Sequence, residues 1–238
     1  MKVIRVTSPS EGALLAYSHV KQSLEKGATT FGLATGGTPE ELYALIRESD
    51  LDFSKCVSIN LDEYVGLTPD NQKSYHYYMK ENLFKAKPFK ASFIPQGWES
   101  DATKEVSRYE DVLKKYPIDF QLLGLGTNGH IGFNEPGTLF TQRTHKVALT
   151  KETVEANKRY FDKVEDVPTF AYSMGLANIM EAKEIVLLAF GHSKAEAIKA
   201  LVEGEQTTNV PATILQSHEN VTIIIDADAA SLLSETVE

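Results

Sequence analysis

The chain has 238 residues, 42% of them hydrophobic and 24% charged, which is enough for a continuous globular core and too apolar for a disordered chain. Its formal net charge of -9 argues against nucleic acid as a partner, since that binding needs clustered Lys and Arg, but a few local cations can still hold a small anion. A single cysteine, Cys56, excludes an internal disulfide and a thiolate metal cluster, and no run approaches the roughly 20 apolar residues of a membrane span.

The amino terminus mixes charge into its apolar residues and carries no export signal, so the cytoplasm is the expected compartment. From there, short apolar runs alternate with amphipathic segments. The runs predict strands over 3–6, 30–34, 57–61, 119–125, 185–190 and 221–225. Helical patterns fall between them, over 10–24, 39–47, 74–84, 104–115, 151–161 and 193–202. This alternation predicts a single α/β domain over 1–238 with mostly parallel strands joined by crossover helices. Several runs are nearly all apolar, as suits strands buried on both faces, and Cys56 fits such a run as a small core residue. Ligands in such sheets bind outside the carboxyl ends of the strands, so chemistry is sought there.

After the second strand comes Ala34-Thr35-Gly36-Gly37-Thr38-Pro39-Glu40-Glu41. Thr38 reads as an N-cap, Pro39 as the first helical residue and Glu41 as the capping-box partner. Gly36 and Gly37 permit a tight turn whose amides suit a phosphate, although Glu40 and Glu41 would repel one unless cations come from elsewhere. The third strand ends in Asp62-Glu63, and alternation points only one of these acids at the ligand. That one is a candidate general base; an ordinary loop acid or cap is the other reading.

Beyond the fourth strand, Gly124, Gly126 and Gly129 spell G-x-G-x-x-G, but Gly132 and Pro136 break the helix that a dinucleotide site would need. Asn128, His130 and Glu135 share that loop. A histidine beside a carboxylate suits acid/base work near neutral pH. The six histidines form no metal-binding pair. Ser173, in Ala171-Tyr172-Ser173-Met174-Gly175, resembles a nucleophile elbow, but the Pro-containing segment 167–170 reads poorly as a strand, so Ser173 is expected to cap a helix. Lys194, at a helix start, opposes the macrodipole unless an anion lies nearby, and Arg159 is a second candidate cation.

Three of these segments carry a resemblance: Thr35-Gly36-Gly37-Thr38-Pro39, Leu61-Asp62-Glu63-Tyr64-Val65-Gly66-Leu67, and Gly129-His130-Ile131-Gly132-Phe133-Asn134-Glu135-Pro136. In order and spacing the chain resembles the glucosamine-6-phosphate deaminase family, over essentially its whole length. The resemblance implies a three-layer α/β/α fold with a mostly parallel Rossmann-like sheet, and conversion of glucosamine 6-phosphate to fructose 6-phosphate and ammonia without metal or organic cofactor. It implies that Asp62 moves the C2 proton to C1, that His130 opens the pyranose ring, and that Glu135 and Asn128 position His130. It places the phosphate on Gly36, Gly37, Thr38, Arg159 and Lys194. Many relatives have Asp where this chain has Asn128, which would leave Glu135 as the cluster's sole carboxylate.

Two rival functions remain at this stage: a 6-phosphogluconolactone hydrolase of the same fold, and a non-catalytic sugar-phosphate sensor, which normally carries a DNA-binding module. The resemblance is to the short, non-allosteric form. Longer hexameric members bind N-acetylglucosamine 6-phosphate through basic residues that fall here on His145 and Val147, with Arg143 and Lys146 nearby. The end at Glu238 leaves no C-terminal extension for that site. Hyperbolic kinetics and a monomer or small homo-oligomer are therefore expected.

Overall fold

The computed structural model describes residues 1–234; the end at Glu238, on which the short-form expectation partly rests, lies outside the described residues. Its strands are β1 (Lys2–Val6), β2 (Thr30–Leu33), β3 (Val57–Asn60), β4 (Asp62–Tyr64), β5 (Ala91–Phe93), β6 (Phe120–Gly124), β7 (His145–Ala148), β8 (Phe170–Ser173), β9 (Glu184–Ala189) and β10 (Val221–Asp226). Seven form one sheet in the order β1-β10-β9-β6-β2-β3-β5, with every pairing parallel. The apolar stretches of β9 and β10 are buried on both faces: Ile185 to Leu187 and Ile223 to Ile225 are fully buried. Burial of one such side chain contributes about 1.5–3 kcal/mol. Cys56 is buried in the same core, and burial pushes its thiol above the ordinary range.

The helices α1 (Pro9–Glu25), α2 (Glu40–Glu48), α3 (Tyr75–Met79), α4 (Ala102–Lys115), α5 (Lys151–Asn157), α6 (Leu176–Met180) and α7 (Ala195–Glu203) flank the sheet. This is the predicted α/β fold. From β2 the chain lays down β3 and β5 on one side, then crosses back to place β6 on the other and continues outward to β9 and β10. The order therefore reverses between β2 and β6, where a ligand crevice opens in a sheet of this kind.

The structure departs from the sequence reading in three places. A second sheet, β4-β8-β7, is antiparallel, with Asp62 opposite Ser173 and His145 opposite Ser173 on the other side. Its strands have three or four residues each and lack a long apolar run. Ser173 ends β8 rather than capping a helix: its hydroxyl accepts from the Phe133 amide at 3.1 Å and donates to the Met174 carbonyl at 3.0 Å. Gly175 takes the cap position instead, its amide bonded to the Asn178 side chain at 3.1 Å. Thr38 does not cap α2 either. The helix starts at Glu40 with Pro39 in the cap position and no side-chain cap. Tyrosines brace this turn from outside: Tyr43 Oη donates to the Ala34 carbonyl at 2.5 Å and Tyr78 Oη to the Gly36 carbonyl at 2.7 Å. The segment 74–84 is helical as expected, capped by Ser74, but its second half is a π-helical turn over Lys80–Phe84.

Candidate active site

A cavity of about 320 Å³ lies outside the carboxyl ends of β2, β3 and β6, within the size range of sites for small ligands. All the predicted site residues except Glu135 line it: Gly36, Gly37, Thr38, Asp62, Asn128, His130, Arg159 and Lys194. Glu135 stands immediately behind, bonded to Asn128.

Asp62 and Glu63 are consecutive yet differ completely in surroundings, because successive strand side chains point to opposite faces. Glu63 is fully buried and accepts from the amides of Tyr64, Tyr75 and His76 at 2.8, 3.0 and 3.0 Å, with His76 Nδ1 at 2.8 Å. It ties β4 to the start of α3. Asp62 is 8% exposed and faces the cavity, and among the described residues no donor is hydrogen-bonded to its carboxylate. Burial pushes its pKa up to about 8, with the negative charge of Glu63 adding to the effect. A buried carboxylate without donors is a strong base once ionised.

The loop after β6 folds back on itself, with the Gly126 amide on the His130 carbonyl at 2.9 Å and the Gly129 amide on the Gly126 carbonyl at 3.0 Å. It opens no helix, consistent with setting aside a dinucleotide site. A Cβ on Gly126 would lie 2.3 Å from both Cε1 and Nδ1 of His130, so only glycine lets the imidazole rest there. Asn128 Oδ1 accepts from the His130 amide at 3.2 Å and lies 2.7 Å from His130 Nδ1. Asn128 Nδ2 donates to Glu135 Oε2 at 3.1 Å. That donation fixes the Asn128 amide, and an amide oxygen can only accept, so Nδ1 carries the proton and Nε2 is left as a free base. Burial lowers the His130 pKa; Glu135, with Oε2 3.6 Å from Nδ1, pulls it up, and Lys194 pushes it down. The net direction is downward, so the ring is neutral at pH 7.

The third group is cationic. Lys194 ends a 3₁₀ turn (His192–Lys194) after β9, held by Asp226, whose two carboxylate oxygens accept from the Gly191 amide at 3.0 Å each. Arg159 lies in the 3₁₀ turn Lys158–Tyr160 after α5. Among the described residues neither cation is paired with an acid. Burial, helped by the nearby Arg159 charge, lowers the Lys194 pKa. Glu40 and Glu41 are exposed and do not line the cavity, which removes the expected repulsion. Two cations without an acid partner among the described residues, beside a glycine turn, suit an anion.

The family model for glucosamine-6-phosphate isomerases/6-phosphogluconolactonase matches residues 11–224. The chain belongs to this family. A glucosamine-6-phosphate deaminase of Streptococcus pneumoniae (strain Hungary19A-6) is 56% identical over 235 residues, covering 99% of this chain and 100% of that protein. One from Ligilactobacillus salivarius (strain UCC118) is 54% identical, covering 98% and 100%. The solved structure of a monomeric glucosamine-6-phosphate deaminase superposes with a TM-score of 0.92 at 42% identity, covering 98% of this chain and 100% of that one. The 6-phosphogluconolactonase of Trypanosoma brucei has a TM-score of 0.82 at only 19% identity, covering 98% of each chain, and shares the fold.

In this family member the site also includes residues that the sequence reading passed over. Tyr64, Tyr75, Phe133 and Phe161 wall the cavity, with the Tyr75 and Phe133 rings stacked 6.1 Å apart and Tyr64 packed edge-on to Phe161 at 5.6 Å. Tyr160 also lines it. The available signal was the aromatic cluster Tyr75-His76-Tyr77-Tyr78, too dense for a purely solvated helix. The hydroxyl of Ser173 anchors the loop carrying His130 through the Phe133 amide.

Proposed function

We propose that the chain converts glucosamine 6-phosphate to fructose 6-phosphate and ammonia. One observation carries this reading: a buried carboxylate and a neutral imidazole face the same cavity as two cations, and among the described residues the carboxylate has no donor and the cations no acid partner. Its 56% identity to a glucosamine-6-phosphate deaminase over nearly the whole length supports the choice of substrate.

The 6-phosphate is held by Arg159, Lys194 and the turn Gly36, Gly37, Thr38. His130 Nε2 takes the proton of the O1 hydroxyl and delivers it to the ring oxygen; the C1–O5 bond breaks and C1 becomes an aldehyde. Asn128 and Glu135 hold the tautomer that makes this possible. Asp62 then removes the C2 proton, now acidified by the adjacent carbonyl, while the carbonyl oxygen takes a proton from the C2 ammonium, and Asp62 returns its proton to C1 of the resulting enolamine. The product is a 2-imino sugar, which water hydrolyses to the ketone and ammonia. The sugar's own carbonyl is the electron sink, so the residues require neither metal nor organic cofactor. A substrate ammonium group at C2 brings the positive charge that restores Asp62 to its carboxylate form.

The protein acts as one domain, as a monomer or small homo-oligomer of the cytoplasm; the similarity to a monomeric relative supports the smaller assembly. Among the described residues no helix is long and apolar enough to cross a membrane. A lactone hydrolase would use the same phosphate site but has no need of a carbon base, and its similarity is confined to the fold. A coupled assay separates the two. Purified protein is expected to release ammonia and fructose 6-phosphate in equal amounts from glucosamine 6-phosphate, and lactone hydrolysis without ammonia would reject the assignment.

A further inference from the structure

The anion turn is already occupied by a side chain. The amide of Gly37 donates to the hydroxyl of Tyr160 at 3.2 Å. The same oxygen lies 4.0 and 3.6 Å from the positions that a Cβ on Gly36 and on Gly37 would take, so it sits over the bare faces of both glycines. Gly36 has a φ of +93°, a conformation that leaves the turn open to close approach. Behind the turn, Tyr78 holds the Gly36 carbonyl, so the backbone cannot rotate away without losing that bond. Tyr160 itself is 37% exposed and follows Arg159, whose guanidinium lies 4.8 Å from the tyrosine ring centre. One hydroxyl thus takes the place that an anionic oxygen would take, on the same turn of chain as the cation meant for that anion.

We infer that Tyr160 is a placeholder for the phosphate: its hydroxyl caps the Gly37 amide when the site is empty, and a phosphoryl oxygen must displace it to bind. This rests on the phosphate assignment proposed above and adds a residue that sets affinity for the anion. The exchange is between two acceptors on one donor. The amide leaves a neutral oxygen for a charged one, and charge-assisted bonds are roughly twice as strong. The displaced tyrosine stays beside Arg159, whose charge the phosphate then engages. The placeholder keeps the amide satisfied in the empty protein and lowers affinity for any phosphate, substrate and product alike.

The test removes only the hydroxyl. Binding of inorganic phosphate to the wild type, Tyr160→Phe and Lys194→Ala is measured by titration calorimetry, with KM and kcat for glucosamine 6-phosphate alongside. Loss of a competing hydrogen bond of ordinary net strength should tighten phosphate binding in Tyr160→Phe by about two- to tenfold. KM should fall by a similar factor with kcat unchanged or lower through slower product release. Phosphate binding that is unchanged or weaker in Tyr160→Phe would overturn the placeholder role. Phosphate binding that is undiminished in Lys194→Ala would instead show that the phosphate assignment itself is wrong, whatever Tyr160 does.

Discussion

The cavity joins two regions built on different principles. Around Asp62 and His130, side chains are buried and their supports are fixed: Glu63 ties β4 to α3, Asn128 and Glu135 set the imidazole, and Gly126 makes room for it. Around Gly37, Arg159 and Lys194 the chain is more open, and among the described residues the cations have no acid partner; Gly37 and Arg159 are exposed. Proton transfer between carbon atoms depends on geometry and on a desolvated base, and both come from rigid burial. Holding a phosphate needs charge and amides, which tolerate exposure. Substitutions in the first region should therefore reduce turnover, and those in the second should reduce binding.

The largest effect is expected from Asp62→Asn, which removes the proposed base and keeps its shape. Turnover should fall by about 10²–10⁴, the usual contribution of a positioned base, while phosphate affinity stays close to wild type. Steady-state kinetics with calorimetry decide this, and a fall in affinity without a fall in turnover would collapse the contrast between the two regions.

Lys194→Ala and Arg159→Ala should do the reverse. Loss of one hydrogen bond to a charged group costs about 1.5–3 kcal/mol, or roughly 10- to 150-fold in substrate binding. Free glucosamine should be a very poor substrate for the same reason. Equal efficiency on glucosamine and its 6-phosphate would show that these cations serve some other purpose.

The pH dependence sharpens the contrast. The proposed role of Asp62 requires it to be ionised, and its pKa is pushed up to about 8. The value of kcat/KM should thus rise with pH through that region. The linked effect on stability has the opposite sign. Between the ordinary carboxylate pKa and about 8, the folded state holds a proton on Asp62 that the unfolded state releases, so the fold loses stability as pH rises through this window. Asp62→Asn should raise the melting temperature at pH 9 relative to wild type and change it less at pH 5. A variant equally affected at both pH values would mean that Asp62 is not a desolvated acid.

Smaller changes are expected at Asn128. Asn128→Asp would set a charge 2.7 Å from His130 Nδ1 and so raise the imidazole pKa, whereas burial now lowers it. An NMR titration of His130 in the two forms reads this directly, and an unchanged midpoint would remove Asn128 from its tuning role.

The regions also differ in how far they could be read from sequence. Asp62, His130 and Lys194 follow apolar-rich strands, whose ends mark the crevice of a parallel sheet, so they were legible. The order reversal between β2 and β6 was not, because strand order is set by long-range pairing. The small sheet β4-β8-β7 stayed hidden for a physical reason: its strands are too short for a period of two to stand out, and Pro168 precedes the last of them to be recognised. That omission turned Ser173 into an imagined helix cap. Thr38 misled for a different reason, since tyrosine hydroxyls brace the turn that the threonine was expected to cap.

No response to N-acetylglucosamine 6-phosphate is expected. Arg143 is held by Glu110 at 2.7 Å and by Glu181 at 2.7 and 3.3 Å, and Lys146 lies 4.7 Å from the centre of the Phe170 ring. Burial lowers the His145 pKa, which leaves it neutral. With these basic groups occupied or uncharged, an effector phosphate finds little differential affinity to shift an equilibrium. Substrate saturation curves with and without the effector should superpose and be hyperbolic; a sigmoidal curve made hyperbolic by the effector would refute this.

Hydrogen exchange at C2 tests the central claim most directly. Glucosamine 6-phosphate is incubated in deuterated water, and deuterium at C2 of the substrate and C1 of the product is followed by NMR. Wild type and, at saturating substrate, Lys194→Ala should both exchange, while Asp62→Asn should lose exchange along with turnover. An Asp62→Asn protein that exchanges C2 hydrogen at near-native rate would contradict the account, because some other group would then be the base.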